Sequence, residues 1–103
     1  MGKIRWTEKA STHLQAIHAY IAVDSPVYAA RFIQSLVKSV FVLNTMPHLG
    51  RIVPELENLK LRELIFHDYR IVYRVARNSE DENIEILAVI HSARDFVPAF
   101  STP

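Results

Sequence analysis

Tyr69-Arg70-Ile71-Val72-Tyr73-Arg74-Val75 is the stretch on which the fold turns. Strand-forming residues alternate in it with a period of two. Tyr69, Ile71, Tyr73 and Val75 share one side, while Arg70, Val72, Arg74 and Ala76 share the other. That pattern predicts an antiparallel strand with one face packed on other elements and one face partly solvated. The same residue types run on either side of it. Residues 61–65 (Leu-Arg-Glu-Leu-Ile) read as a preceding strand, joined through a turn at His67-Asp68. Residues 84–90 read as a following strand, with the polar residues 78–83 as the hairpin loop.

Upstream the period changes. Residues 3–6 (Lys-Ile-Arg-Trp) alternate as a short strand, and Thr7 offers a side-chain cap to a helix with Ala10, Leu14, Ile17 and Ile21 on one face. Ser25 followed by Pro26 is a second start signal, because proline in the first turn loses no needed donor. From there Ala29, Phe32, Ile33, Leu36, Val40 and Leu43 form one apolar stripe. So short a break predicts an antiparallel helix hairpin. Residues 47–51 interrupt the pattern, and residues 52–55 continue as an irregular connection. The expected order is β-α-α-β-β-β, an α+β fold with the helices on one face of the sheet and a single domain spanning residues 1–103. The tail, residues 92–103, carries two prolines with Phe96 and Phe100, and its order is left undecided.

Composition narrows the function classes. Half of the residues are hydrophobic, which is ample for a core and too many for disorder. With no cysteine, disulfide staples, thiolate metal sites and a cysteine nucleophile are excluded. Lack of cysteine fits a reducing cytoplasm; no signal peptide is visible at the N-terminus, and the apolar runs fall short of the roughly 20 residues of a spanning helix. Net charge is only +1, but the charges are uneven: Lys60, Arg62, Arg70, Arg74 and Arg77 face only Glu63 and Asp68 within residues 60–77. A basic face on a neutral protein fits nucleic acid or an acidic partner segment, or is simply a solvated strand face. His13 and His18 stand five apart and do not share a helix face, and His48 and His67 fall in turns, so no metal site is expected. Trp6, Tyr28 and Tyr73 are candidates for base stacking, with core packing as the plainer reading.

The motifs taken together resemble the RelE/ParE toxin superfamily of type II toxin–antitoxin systems. They are Trp6-Thr7, Tyr20-Ile21, Ser25-Pro26-x-x-Ala29 with Phe32, Pro47-x-x-Gly50-Arg51-x-x-Pro54-Glu55 and Leu61-Arg62-Glu63-Leu64. Tyr69-Arg70-Ile71-Val72-Tyr73-Arg74-Val75 and Val89-Ile90-His91-x-x-Arg94-Asp95 complete the set, in one order along nearly the whole chain. The 47–55 connection and the His-x-x-Arg-Asp ending look more like ParE than RelE. The resemblance to ParE implies a toxin that poisons DNA gyrase by binding, without a cofactor or a small-molecule substrate, and that a cognate antitoxin silences. The RelE-like alternative is a ribosome-dependent, metal-independent mRNA endoribonuclease; a third is a degenerate toxin that only binds its antitoxin.

Cleavage of RNA without a metal needs a proton acceptor for the 2′-hydroxyl, cations for the phosphate and a proton donor for the leaving oxygen. Resemblance to the RelE-like ribonucleases places Arg62 on a phosphate-holding arginine, with Lys60 beside it. Their second arginine falls near Ser92 here and their terminal tyrosine within residues 97–100, and neither residue type is present there. His91 and Arg94 are the available substitutes. The plainer alternative has His91 ending the last strand and Arg94 paired with Asp95 or a helix carboxylate. An antitoxin tail that folds on docking is expected to bring carboxylates to Arg62, Arg70, Arg74 and Arg94, against the alternative that these arginines only solubilise the sheet.

Overall fold

The computed structural model describes residues 3–55, 60–78 and 81–92. Strand β1 (Ile4–Trp6) leads into helix α1 (Glu8–Ala22), where the Thr7 hydroxyl accepts the Ala10 amide at 3.2 Å. Helix α2 (Pro26–Ser39) starts as its sequence predicts, with Pro26 in the first turn and the Ser25 hydroxyl accepting the Tyr28 amide at 3.2 Å. These caps satisfy helix donors that have no partner within the helix. A 3-10 segment, η1 (Val40–Asn44), continues α2. The strands β2 (Arg51–Ile52), β3 (Leu61–Phe66), β4 (Tyr69–Asn78) and β5 (Asp81–His91) follow.

The expected α+β arrangement is present, and β3, β4 and β5 form the antiparallel run read from the sequence. Two features go beyond that reading. The sheet has five strands in the order β1-β5-β4-β3-β2, with β1 parallel to β5, so the first strand lies against the last. The connection read as irregular contains β2, which pairs Arg51 with Glu63 and Ile52 with Arg62 at the sheet edge. Two residues are too short a run for periodicity to register.

The helices cover one sheet face. Ala10, Ile17, Leu36, Val40 and Leu43 pack there against Ile71, Tyr73, Ile84, Ile86 and Val89. The face away from the helices holds a smaller cluster of Val53, Leu61, Val72, Ala88 and Ile90. A β-bulge explains how β5 serves both faces out of simple alternation: Val72 stands opposite Ala88 but Tyr73 opposite Ile86, which leaves Leu87 as the extra residue. Past the bulge, Val89 and His91 turn to the helix side, where Ile86 points before it.

Beyond β1, the outer edge of β5 is covered by the start of α1. The Thr7 amide and hydroxyl both donate to the Ile86 carbonyl, and the Val89 amide donates to Nδ1 of His13 at 3.0 Å. A half-buried histidine therefore stands where the next strand residue would have been. Burial, reinforced by the Lys9 ammonium one turn away, lowers its pKa from the ordinary 6.5 and keeps the ring neutral as an acceptor.

Candidate functional site

The polar motif residues converge at the β2 end of the sheet, but on two opposite faces. On the helix side, Gly50 lies against the ring of Tyr73. Its amide donates to the Tyr73 hydroxyl at 2.8 Å, and its carbonyl accepts from Arg62 at 2.7 Å. A Cβ at Gly50 would lie 2.6 Å from both the Tyr73 hydroxyl and the Glu63 carbonyl oxygen, so close approach demands glycine here. Tyr73 is fully buried, and desolvation pushes its hydroxyl pKa up, which keeps it a neutral hydrogen-bonding group.

On the opposite face runs a chain of alternating charges, Glu55–Arg70–Glu63–Arg51. Glu55 grips the Arg70 guanidinium through both oxygens at 2.6 Å, Arg70 Nε donates to Glu63 at 2.7 Å, and Arg51 Nε reaches the other Glu63 oxygen at 2.6 Å. The Glu63 side chain is 0% exposed and that of Arg70 only 7%. Each buried charge is thus matched by an opposite one. The hydrogen bonds from Arg70 hold the Glu55 carboxyl down at about 2, and the two carboxylates raise the Arg70 pKa. Together the two clusters fasten the 50–55 segment to β3 and β4. A second ion group, Arg5–Glu85–Arg74, crosses β1, β5 and β4 on the same face, where the hydrogen bonds from Arg5 and then Arg74 lower the Glu85 pKa.

These contacts redistribute the residues singled out in the sequence. Arg62 lies on the helix side and Arg70 and Arg74 on the other, so the three do not form one basic face. Arg70 is buried within its ion pairs, whereas the Arg74 side chain is 52% exposed. Lys60 is exposed in the turn before β3. His91 ends β5 with its ring edge-on to Tyr69, centroids 5.3 Å apart. Through the register, His91 lies level with Tyr69 and Phe66, while Arg62 lies level with Tyr73 and Ile86. Four residues along the sheet and two strands across separate their backbones by about 17 Å. The Arg62 guanidinium is bonded at the far sheet edge, so Arg62 and His91 do not converge on one phosphate. Arg94 and Arg77's side chain lie outside the described residues. Trp6 packs on the core, Tyr73 is inside it, and Tyr28 is exposed.

Comparison with known proteins decides the family. The model of the ParE toxin of the type II toxin-antitoxin system parDE matches residues 4–96. The chain belongs to the ParE toxin family. It is 38% identical over 92 residues to a protein of Sinorhizobium fredii (strain NBRC 101917 / NGR234) named "Putative toxin Y4kP", covering 87% of this chain and 88% of that one. A solved structure described as the chromosomal ParDE TA system from P. aeruginosa superposes on this ParE-family chain with a TM-score of 0.72 at 26% identity, covering 88% of this chain and 96% of that one. The residues of the two clusters that pin β2 to the sheet all fall within the stretches 50–55, 61–64 and 69–75. Arg51, Glu55 and Glu63 were visible in those motifs, but only the strand register reveals that they meet.

Proposed function

We propose that this chain is the toxin of a type II toxin–antitoxin pair, that it arrests DNA gyrase by binding rather than by chemistry, and that a cognate antitoxin neutralises it in the cytoplasm. The family match over residues 4–96 carries this reading. The separation of Arg62 from His91 supports binding over ribonuclease chemistry, which needs both groups at one phosphate. The reading calls for no metal or cofactor.

The antitoxin would engage the sheet away from the helices and at its β2 edge. Ile52 and Ile65 are exposed there, β2 has no outer neighbour among the described residues, and the backbone N–H and C=O groups of such an edge can pair with an added strand. Arg74 and Arg94 would meet antitoxin carboxylates directly, while Arg62 and Arg70 would hold the edge in shape and lend it positive potential.

The test pairs two assays on the purified toxin: accumulation of cleaved DNA with gyrase, and cleavage of mRNA on programmed ribosomes. Trapped gyrase with intact mRNA is the expected result, and His91→Ala leaves it unchanged. Codon-specific mRNA cuts that His91→Ala abolishes would overturn the proposal.

A further inference from the structure

The segment running through α2 and η1 has a composition that the core does not explain. Pro26–Asn44 spans 19 residues, apolar enough by length and composition alone to cross a membrane, yet most of it is not buried within the fold. One side supplies Ala29, Leu36, Val40 and Leu43 to the core. The other presents Val27, Arg31, Gln34, Lys38 and Phe41 to solvent. Their spacing of four, three, four and three residues makes one straight stripe, about 21 Å long at the helical rise. Val27 is 64% exposed at one end and Phe41 54% at the other. Arg31 and Lys38 stand between them, and Pro26–Asn44 contains no Asp or Glu. Near the Val27 end, Tyr28, Val23 and Tyr20 are also exposed.

We propose that this face of α2 and η1 docks the protein on which the toxin acts, through a surface that offers carboxylates to Arg31 and Lys38 and apolar recesses to Val27 and Phe41. The inference rests on the functional reading above and names the surface it uses. Charge complementarity selects the occupant's chemistry: an acid-free stripe with two cations attracts an acidic surface and repels a basic one. Two cations interleaved with large apolar groups fit a protein interface, with its apolar centre and charged contacts, better than a DNA backbone, which is bound through many phosphate contacts. The stripe also lies across the sheet from Arg5, Glu85, Arg74 and the Glu55–Arg70–Glu63–Arg51 chain. Target and antitoxin thereby gain separate footprints.

The experiment is a separation of function on the full chain. R31E/K38E and, independently, V27S/F41S are compared with wild type in growth inhibition, gyrase-dependent DNA cleavage and affinity for the purified cognate antitoxin, with thermal melts as the folding control. Both variants are expected to lose about ten-fold or more in toxicity, one decade being the worth of a single good contact, while antitoxin affinity is unchanged. Full toxicity in both variants would overturn the proposal, as would a loss of antitoxin affinity, which would assign the stripe to the antitoxin. Salt-sensitive binding of wild type to a short DNA duplex, abolished by R31E/K38E, would overturn it in favour of nucleic acid. If wild type is toxic without trapping gyrase, the gyrase reading fails while loss of toxicity in the variants still supports the surface; a wild type that is not toxic refutes both.

Discussion

Replacing Arg70 by methionine removes the centre of the charge chain on the far sheet face. Arg70 is 6% exposed, and the Glu63 side chain it serves is fully buried. The variant leaves Glu63 with Arg51 alone, whose side chain is 61% exposed and spends much of its charge on water. Breaking a buried pair from one side costs about 3–5 kcal/mol. A domain of this size has about 5–15 kcal/mol in total, so R70M is expected to be marginal. Glu55 is a different case. Its side chain is 38% exposed, and E55Q still leaves Arg70 on Glu63, so a loss of about 1 kcal/mol or less is expected. R70M/E63L removes both buried charges and should recover much of the R70M loss, because well-packed apolar groups often match a buried pair. Urea unfolding of the four proteins measures the series. An R70M cost below about 1 kcal/mol, an E55Q cost equal to it, or a double variant no better than R70M would refute the assignment of the chain as a buried structural clasp.

Four further expectations follow from single contacts. Because the folded-state pKa of His13 lies below its unfolded value, its contribution to stability is complete above pH 6.5 and is lost as pH falls below that; H13N keeps an acceptor that does not titrate, so its urea midpoint should fall less between pH 7 and pH 5. The lowered Glu55 carboxyl acts in a separate window: its contribution is present above 4.5 and is lost as pH falls toward about 2, so acid unfolding of E55Q should lack that component. Gly50→Ala forces a Cβ against the Tyr73 hydroxyl and the Glu63 backbone and should cost about 1–3 kcal/mol by thermal melt; an unchanged melting temperature would mean that β2 is not held there. His67 has a φ of 54° in the β3–β4 turn, a backbone conformation that costs a side chain about 1–2 kcal/mol, so H67G should stabilise the chain by up to about 1 kcal/mol after its ring contacts with Phe66 and Phe32 are lost.

The elements were legible where local signals are strong. Thr7, Ser25 and Pro26 announce both helix starts, and the alternation of 69–75 announces β4, because capping and period are properties of neighbouring residues. What depends on long-range register was hidden. Nothing near Ile4 says that it will lie parallel to Ile84. The bulge at Leu87 shifts which residues of β5 face the helices, and a single unpaired residue leaves no mark on an apolar run. The same limit applies to the candidate site. Arg62, Arg70 and Arg74 look like one basic group in sequence, yet Arg62 stands opposite Tyr73 across the ladder and so turns to the helix side. Likewise, Gly50 reads as a turn residue, whereas its reason is the Tyr73 ring 23 positions later.

The pairing of β1 with β5 joins residues some 80 positions apart, Arg5 meeting Glu85 across it. During synthesis the helix hairpin can form early from local contacts, but the sheet beneath it is incomplete until residues 81–91 bring Ile84, Ile86 and Val89 and the partner of β1. Contacts so distant in sequence also slow folding, since loop closure comes before any gain from the ladder. The fold therefore closes only when β5, the last of the described strands, has been made, and on the function proposed above that interval is the one in which a waiting antitoxin would meet the chain.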